Sequence, residues 1–166
     1  MKKNIQFISI IITFVCLLFL YNPSFVYAAM SGDSSGGNEK VNLYKEAKRF
    51  IIRAKKLEKK DKLEKALKLY SKAYKKLKRA YQKDKNNPDI LNYLGFTLRK
   101  AGNFEEAEKF YLAGLEVKPD HEGINEYLGE LYIKTNRIEL AKERLEVLKG
   151  CKCEEFEELK ELIDKN

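Results

Sequence analysis

The sequence predicts an all-α fold built from a repeated unit, and three observations carry that prediction. Lys, Glu and Leu, all good helix formers, dominate the 166 residues. Three prolines and nine glycines are too few for the many turns of a β domain. From residue 39 onward apolar residues recur at helical spacing without any run of strict alternation, and from residue 88 the pattern repeats after 34 residues.

Residues 1–28 read as a secretory signal outside the fold. Lys2 and Lys3 form a charged start, Phe7 to Tyr21 are almost uninterruptedly apolar, Pro23 breaks the helix, and Val26-Tyr27-Ala28 sets a cleavage site after Ala28. The chain is then expected to be exported, to a periplasm or beyond. The alternative is an inner-membrane anchor formed by an uncleaved 7–21, but that run falls short of the ~20 residues of a spanning helix. Residues 29–38, rich in Gly and Ser, read as a flexible linker.

The helical elements follow in order. In 39–87, Ala66, Tyr70 and Ala73 set the face of a second helix, and a first helix over about 40–58 precedes it. Asn86-Asn87-Pro88 is a helix start with proline at the first position. Residues 88–121 then carry Leu91, Leu94, Gly95, Leu98, Ala107, Tyr111, Gly114 and Pro119, with a turn at Gly102-Asn103. In 122–152 the same offsets hold Leu128, Gly129, Tyr132, Ala141, Leu145 and Leu148, with a turn at Thr135-Asn136. Gly95 and Gly129 are expected to let the first helix of each pair approach the second, facing Ala107 and Ala141. In 153–166, Phe156, Leu159 and Ile163 make a one-sided helix with an acidic outer face, suited to capping the last unit.

These spacings resemble the tetratricopeptide repeat, strongly over 88–149 and weakly before. The first pair departs from the pattern. Ala54 and Arg53 stand where Gly and Leu are expected, and Ala66 precedes Ala107 by 41 residues, seven more than the repeat. The resemblance implies an α-solenoid of antiparallel helix pairs with a C-terminal capping helix, seven helices in all. It also implies a protein-interaction module that binds a peptide or partner segment in a concave groove. Carried over by position, the groove lining is Asn92, Phe96, Arg99, Glu126, Glu130 and Ile133. The set of Lys, Asn and Arg with which some members clamp a C-terminal carboxylate is missing. The cysteines before Glu154-Glu155-Phe156 resemble the end of small tetratricopeptide-repeat proteins of alphaproteobacteria, a likeness that implies no reaction; together with export, the repeat resemblance implies an adaptor in the cell envelope.

Charge is divided along the chain. Residues 39–87 hold 19 Lys/Arg against 6 Asp/Glu, and residues 88–166 hold 12 against 18. Lysines such as Lys55, Lys59, Lys68 and Lys75 therefore offer a second surface, for an anionic membrane or polymer. The rival is a solvated, lysine-biased helix pair, and a third reading is self-association of the basic half with the acidic half. Export disfavours nucleic acid. Cys151 and Cys153 are the only cysteines after residue 28. They allow a local disulfide, an intermolecular or exchanging pair, or free thiols. Two cysteines and the distant His121 do not complete a zinc site, so no metal is expected. No cofactor loop or catalytic constellation stands out, and the chain is not read as an enzyme. His121-Glu122 fits a helix start better than an acid–base dyad.

Overall fold

The computed structural model describes residues 35–166, and the signal and most of the linker lie outside the described residues. Among the described residues there are seven helices and no strand. They are α1 (Ser35–Glu58), α2 (Leu63–Lys83), α3 (Pro88–Lys100), α4 (Phe104–Val117), α5 (Glu122–Lys134), α6 (Ile138–Leu148) and α7 (Glu154–Asp164). The all-α solenoid of helix pairs read from the sequence is the observed fold. The start of α1 corrects the linker, because residues 35–38 form its first turn. No helix among the described residues is long and apolar enough to cross a membrane.

Local chemistry sets the helix ends. The Asn87 side chain accepts from the Ile90 N–H at 3.2 Å, and the Asn103 side chain from the Glu106 N–H at 3.4 Å. His121 does the same through Nδ1 to the Ile124 N–H at 3.3 Å, so the single histidine is a helix cap. The turns inside the repeats close on Gly102 (φ 82°) and Asn136 (φ 60°), in the left-handed region that glycine and asparagine tolerate best.

The seven extra residues of the first pair have a simple structural form. α2 has 21 residues and α4 has 14, so the insertion adds about two turns to a helix and no loop. Leu43, Ala47, Ile51 and Ala54 of α1 pack on Ala66, Tyr70, Ala73, Leu77 and Ala80 of α2 in a buried core. Alanines at this seam keep the two long helices close. α2 then passes the core to α3 through Ile90, Leu94 and Phe96. A second core holds Ala107 and Tyr111 of α4 with Ile124, Leu128, Leu131 and Ala141.

Gly95 has the role expected of it. A Cβ there would lie 2.5 Å from the Tyr111 ring, so α3 touches α4 at a point with no room for a side chain. Gly129 does not repeat this contact. Its missing Cβ is met at 2.6 Å by Leu159 of α7, not by Leu145 of its own partner helix. Leu145, smaller than the equivalent Tyr111, is only half-buried, and the capping helix fills the space over Gly129. α7 accordingly packs on both α5 and α6, as the first helix of a following unit would.

Replacing Gly95 by Val should destabilise the fold by about 3 kcal/mol, because the fully buried Tyr111 ring has nowhere to move. Gly150→Ala meets nothing within 4 Å and should stay within about 0.5 kcal/mol of the parent. Urea unfolding of the two variants measures the difference.

Candidate binding groove

α1, α3, α5 and α7 present one side each to a shared trough. At one end a cleft of about 300 Å³ is lined by Tyr44 and Lys48 of α1, Asn92 and Tyr93 of α3, Gly123 and Tyr127 of α5, and Glu155 of α7. At the other end a cleft of about 610 Å³ runs over Arg99 and Lys100 of α3, Glu130 and Ile133 of α5, and Leu162 of α7, with Leu63 and Phe104 at its rim. The spacing explains the alignment. Residues 92, 93, 96 and 99 on α3, and 126, 127, 130 and 133 on α5, follow the three-and-four rhythm of one helix face.

The floor is a row of aromatic rings. Tyr44 meets Tyr93 at 5.9 Å between centroids, Tyr93 meets Phe96 at 6.4 Å, and Phe96 meets Tyr127 at 4.9 Å. Tyr70 supports Phe96 at 5.6 Å, and its hydroxyl donates to Glu58 at 2.6 Å. Cations lie over these rings. Lys48 is 5.5 Å from Tyr44 and 5.7 Å from Tyr93. Lys55 is 5.0 Å from Phe96 and 5.4 Å from Tyr127, and it donates to the Tyr127 hydroxyl at 3.1 Å. The Arg99 guanidinium is 5.5 Å from each of Phe96 and Tyr127. The negative ring faces hold Lys48 and Lys55 in place of carboxylates.

The six predicted lining residues fall on this side of the molecule, but they differ in availability. Phe96 is 1% exposed and belongs to the floor, not to a free surface. Arg99 and Glu130 pair with each other at 2.6 Å and tie α3 to α5. Ile133 is half-buried at the wider cleft. Asn92 is 4% exposed, lines the narrower cleft, and its Oδ1 has no hydrogen-bond partner. Glu126 is also 4% exposed. Its burial, reinforced by a hydrogen bond to Glu158 and by the charge of Glu130, pushes its carboxyl up to about 9. At neutral pH it is a neutral acid that donates to Glu158 of α7. Tyr44, Lys48, Tyr93 and Tyr127 were missed by the sequence reading. A signal for two of them existed, since Tyr93 and Tyr127 occupy the same position in successive repeats.

The basic surface divides as well. Lys59, Lys68 and Lys75 are exposed and pair with no acid among the described residues. Lys55 is exposed as well, but its ammonium lies at the groove over Phe96 and Tyr127. Cys151 and Cys153 are joined in the turn before α7, with their Cα atoms 5.2 Å apart. The Glu122 carboxylate lies within 4.8 Å of both sulfurs.

The buried Glu126 gives stability a sign with pH. A carboxyl raised in the folded state binds its proton more tightly folded than unfolded. Its stabilising contribution is complete below the unfolded value near 4.5 and is lost as pH rises toward about 9. Glu126→Gln should therefore be more stable than the parent at pH 8 by about 1–3 kcal/mol, with the gain vanishing below pH 4.5. Thermal unfolding across pH 4–9 tests the slope.

Comparison with known proteins agrees with this architecture. Residues 65–126 match the tetratricopeptide repeat family. A 64-residue stretch is 36% identical to human protein O-mannosyl-transferase TMTC3, covering 39% of this chain and 7% of that protein's length. The fold is similar to the type III secretion translocator chaperone SycD of Yersinia enterocolitica, with TM-score 0.51 and 16% identity over 72% of this chain and 86% of that one. SycD in complex with a peptide of the translocator YopD gives TM-score 0.50 at 16% identity, over 71% and 86%. The second such domain of human RPAP3, in complex with an HSP70 peptide, gives TM-score 0.50 at 19% identity, over 76% and 99%. With the 34-residue period, the stacked helix pairs and the small-residue contact at Gly95, these matches give residues 65–126 the tetratricopeptide repeat and the described residues its solenoid fold.

Proposed function

We propose that the chain is a protein-interaction module that holds an extended segment of a partner protein in the trough of α1, α3, α5 and α7. The observation that carries the reading is Asn92. A buried amide oxygen without a partner costs about 1–3 kcal/mol, and Asn92 lines the narrower cleft, where a turn of its side chain would bring that oxygen to a peptide backbone N–H. The rings of Tyr44, Tyr93 and Tyr127 beside it supply apolar contact at low entropic cost. The SycD and RPAP3 complexes, similar in fold, hold peptides.

The groove also limits the partner's chemistry. Lys48, Lys55 and Arg99 are spread over aromatic faces and are not gathered at one point, so a single terminal carboxylate finds no clamp. Charge changes sign across the trough, from Lys48 on α1 to Glu155 and Glu158 on α7. A segment crossing it with acids toward α1 and bases toward α7 fits best. In this reading the protein carries no reaction of its own and serves as an adaptor. Residues 1–28 and the resemblance of the C-terminal stretch support placing that role in a bacterial cell envelope.

Selection from a displayed random-peptide library should yield peptides that cross-link to a photoreactive residue at position 48 or 127, and not at Glu143 on the opposite side. Asn92→Ala should weaken the selected peptides five- to tenfold, the loss of one buried hydrogen bond. Unchanged affinity in both Asn92→Ala and Tyr127→Ala would overturn the groove assignment. N-terminal sequencing of the chain expressed in a bacterium should begin at Ala29; a start at Met1 would overturn the export reading.

A further inference from the structure

The hairpin of α1 and α2 carries a face that the groove does not use. α1 packs chiefly on α2, and α2 turns its Tyr70, Tyr74, Leu77 and Tyr81 side toward α3. The seam between α1 and α2 on the opposite side is crossed by ion pairs. Glu46 meets Lys76 at 2.6 Å, and Glu39 meets Arg79 at 3.2 Å and Lys83 at 2.9 Å. Elsewhere on the pair, Asp84 is taken by Lys40 at 2.8 Å and Glu58 by Lys100 at 3.2 Å. Four of the six acids of 39–87 are thereby consumed, leaving Asp61 and Glu64 near the turn.

The cations are far from consumed. Arg49 and Arg53 follow Glu46 by three and seven residues, so they lie beside the same seam. Lys65, Lys68 and Lys72 precede Lys76 by eleven, eight and four, and Lys75 precedes Arg79 by four. All six are exposed, and none pairs with an acid among the described residues. They line a strip running along α2, whose 21 residues extend for about 30 Å. Phe50 and Leu57, half-buried, form its apolar floor.

We propose that this strip docks the protein on an anionic phospholipid bilayer. The two clefts of the groove are lined by other residues, and these cations stand on the outer, exposed surface of the helix pair. They are spread evenly along two antiparallel helices, which complements a flat array of phosphates better than one acidic segment. Four of the six are lysines, point charges suited to a diffuse field and not to bidentate recognition. No exposed aromatic ring stands among them to stack a base, which disfavours single-stranded nucleic acid. The groove opens on a different side, so the bilayer and a partner segment can be held together.

The test uses the chain from residue 29 onward, the form left by cleavage after Ala28, with neutral phosphatidylcholine vesicles and vesicles containing 30% phosphatidylglycerol. Co-sedimentation should show binding to the anionic vesicles alone, falling steeply between 50 and 300 mM salt. Each neutralised strip cation should lower partitioning about fivefold, so Lys65→Gln/Lys68→Gln/Lys72→Gln should lose about 100-fold. Glu105→Gln/Lys109→Gln/Lys142→Gln, placed on α4 and α6, should bind like the parent. These residues are exposed, and circular dichroism of each variant should match the parent. No binding at 50 mM salt would overturn the proposal, as would equal loss in both triple variants. Saturable binding to a soluble polyphosphate or DNA that exceeds binding to the vesicles would assign the strip to a polyanion instead and overturn the bilayer.

Discussion

The contact on which the groove depends is the one between Gly95 and the Tyr111 ring. Where a side chain would stand 2.5 Å from a buried ring, two helices meet backbone to ring. That approach fixes the rotation of α3 about its own axis. With Leu91, Leu94 and Gly95 committed to the core, the face carrying Asn92, Tyr93, Phe96 and Arg99 has one direction left to point. Ala107, fully buried on α4, keeps the facing surface equally low. The binding surface is thus a consequence of packing on the other side of the same helix.

The next unit solves the problem differently, and the difference draws the capping helix into the site. Gly129 is covered by Leu159, so α7 stands where a third repeat would begin. Its Glu155, Glu158 and Leu162 then become one wall of the trough. A helix whose first duty is to close the core therefore also decides the charge at one end of the groove. The hydrogen bond between Glu126 and Glu158 ties these two duties together. It adds to the Leu159 packing that joins α7 to α5, and burial favours the protonated Glu126 that it needs.

The fold was legible because it is periodic. A 34-residue offset, two turn signals and the Asn-Pro start locate α3 to α6, and Asn87, Asn103 and His121 cap the starts of α3, α4 and α5. What the period does not encode is contact between unlike elements. Lys55 belongs to a helix that fits the repeat poorly, so its contact with Tyr127 depends on a neighbour 72 residues away. Position puts Phe96, Arg99 and Glu130 on one side of α3 and α5, but the Lys55 cover over Phe96 and the Arg99–Glu130 pair come from contacts between helices. Glu126 is a groove residue by position, but its burial and its Glu158 neighbour come from α7. Sequence position names the face of a helix; what covers that face is set by its neighbours.

Charge segregation has the same structural logic. Successive units are joined by ion pairs of long sequence separation: Glu58 with Lys100, Arg99 with Glu130, and Arg137 with both oxygens of Glu108 at 2.9 and 2.7 Å. Each such pair uses one acid and one base, so stitching the units leaves net charge unchanged. The excess on the first pair therefore resides in side chains that no internal contact requires. A solenoid end does need a polar outer face, but mixed signs would satisfy that need with less self-repulsion. Thirteen cations of 39–87 remain without an acid among the described residues or a ring beneath them. A single sign keeps the chain soluble at the cost of self-repulsion. The repulsion it stores is relieved only by an anion outside the fold, so the long first pair, which departs most from the repeat, is the part whose composition points beyond the molecule.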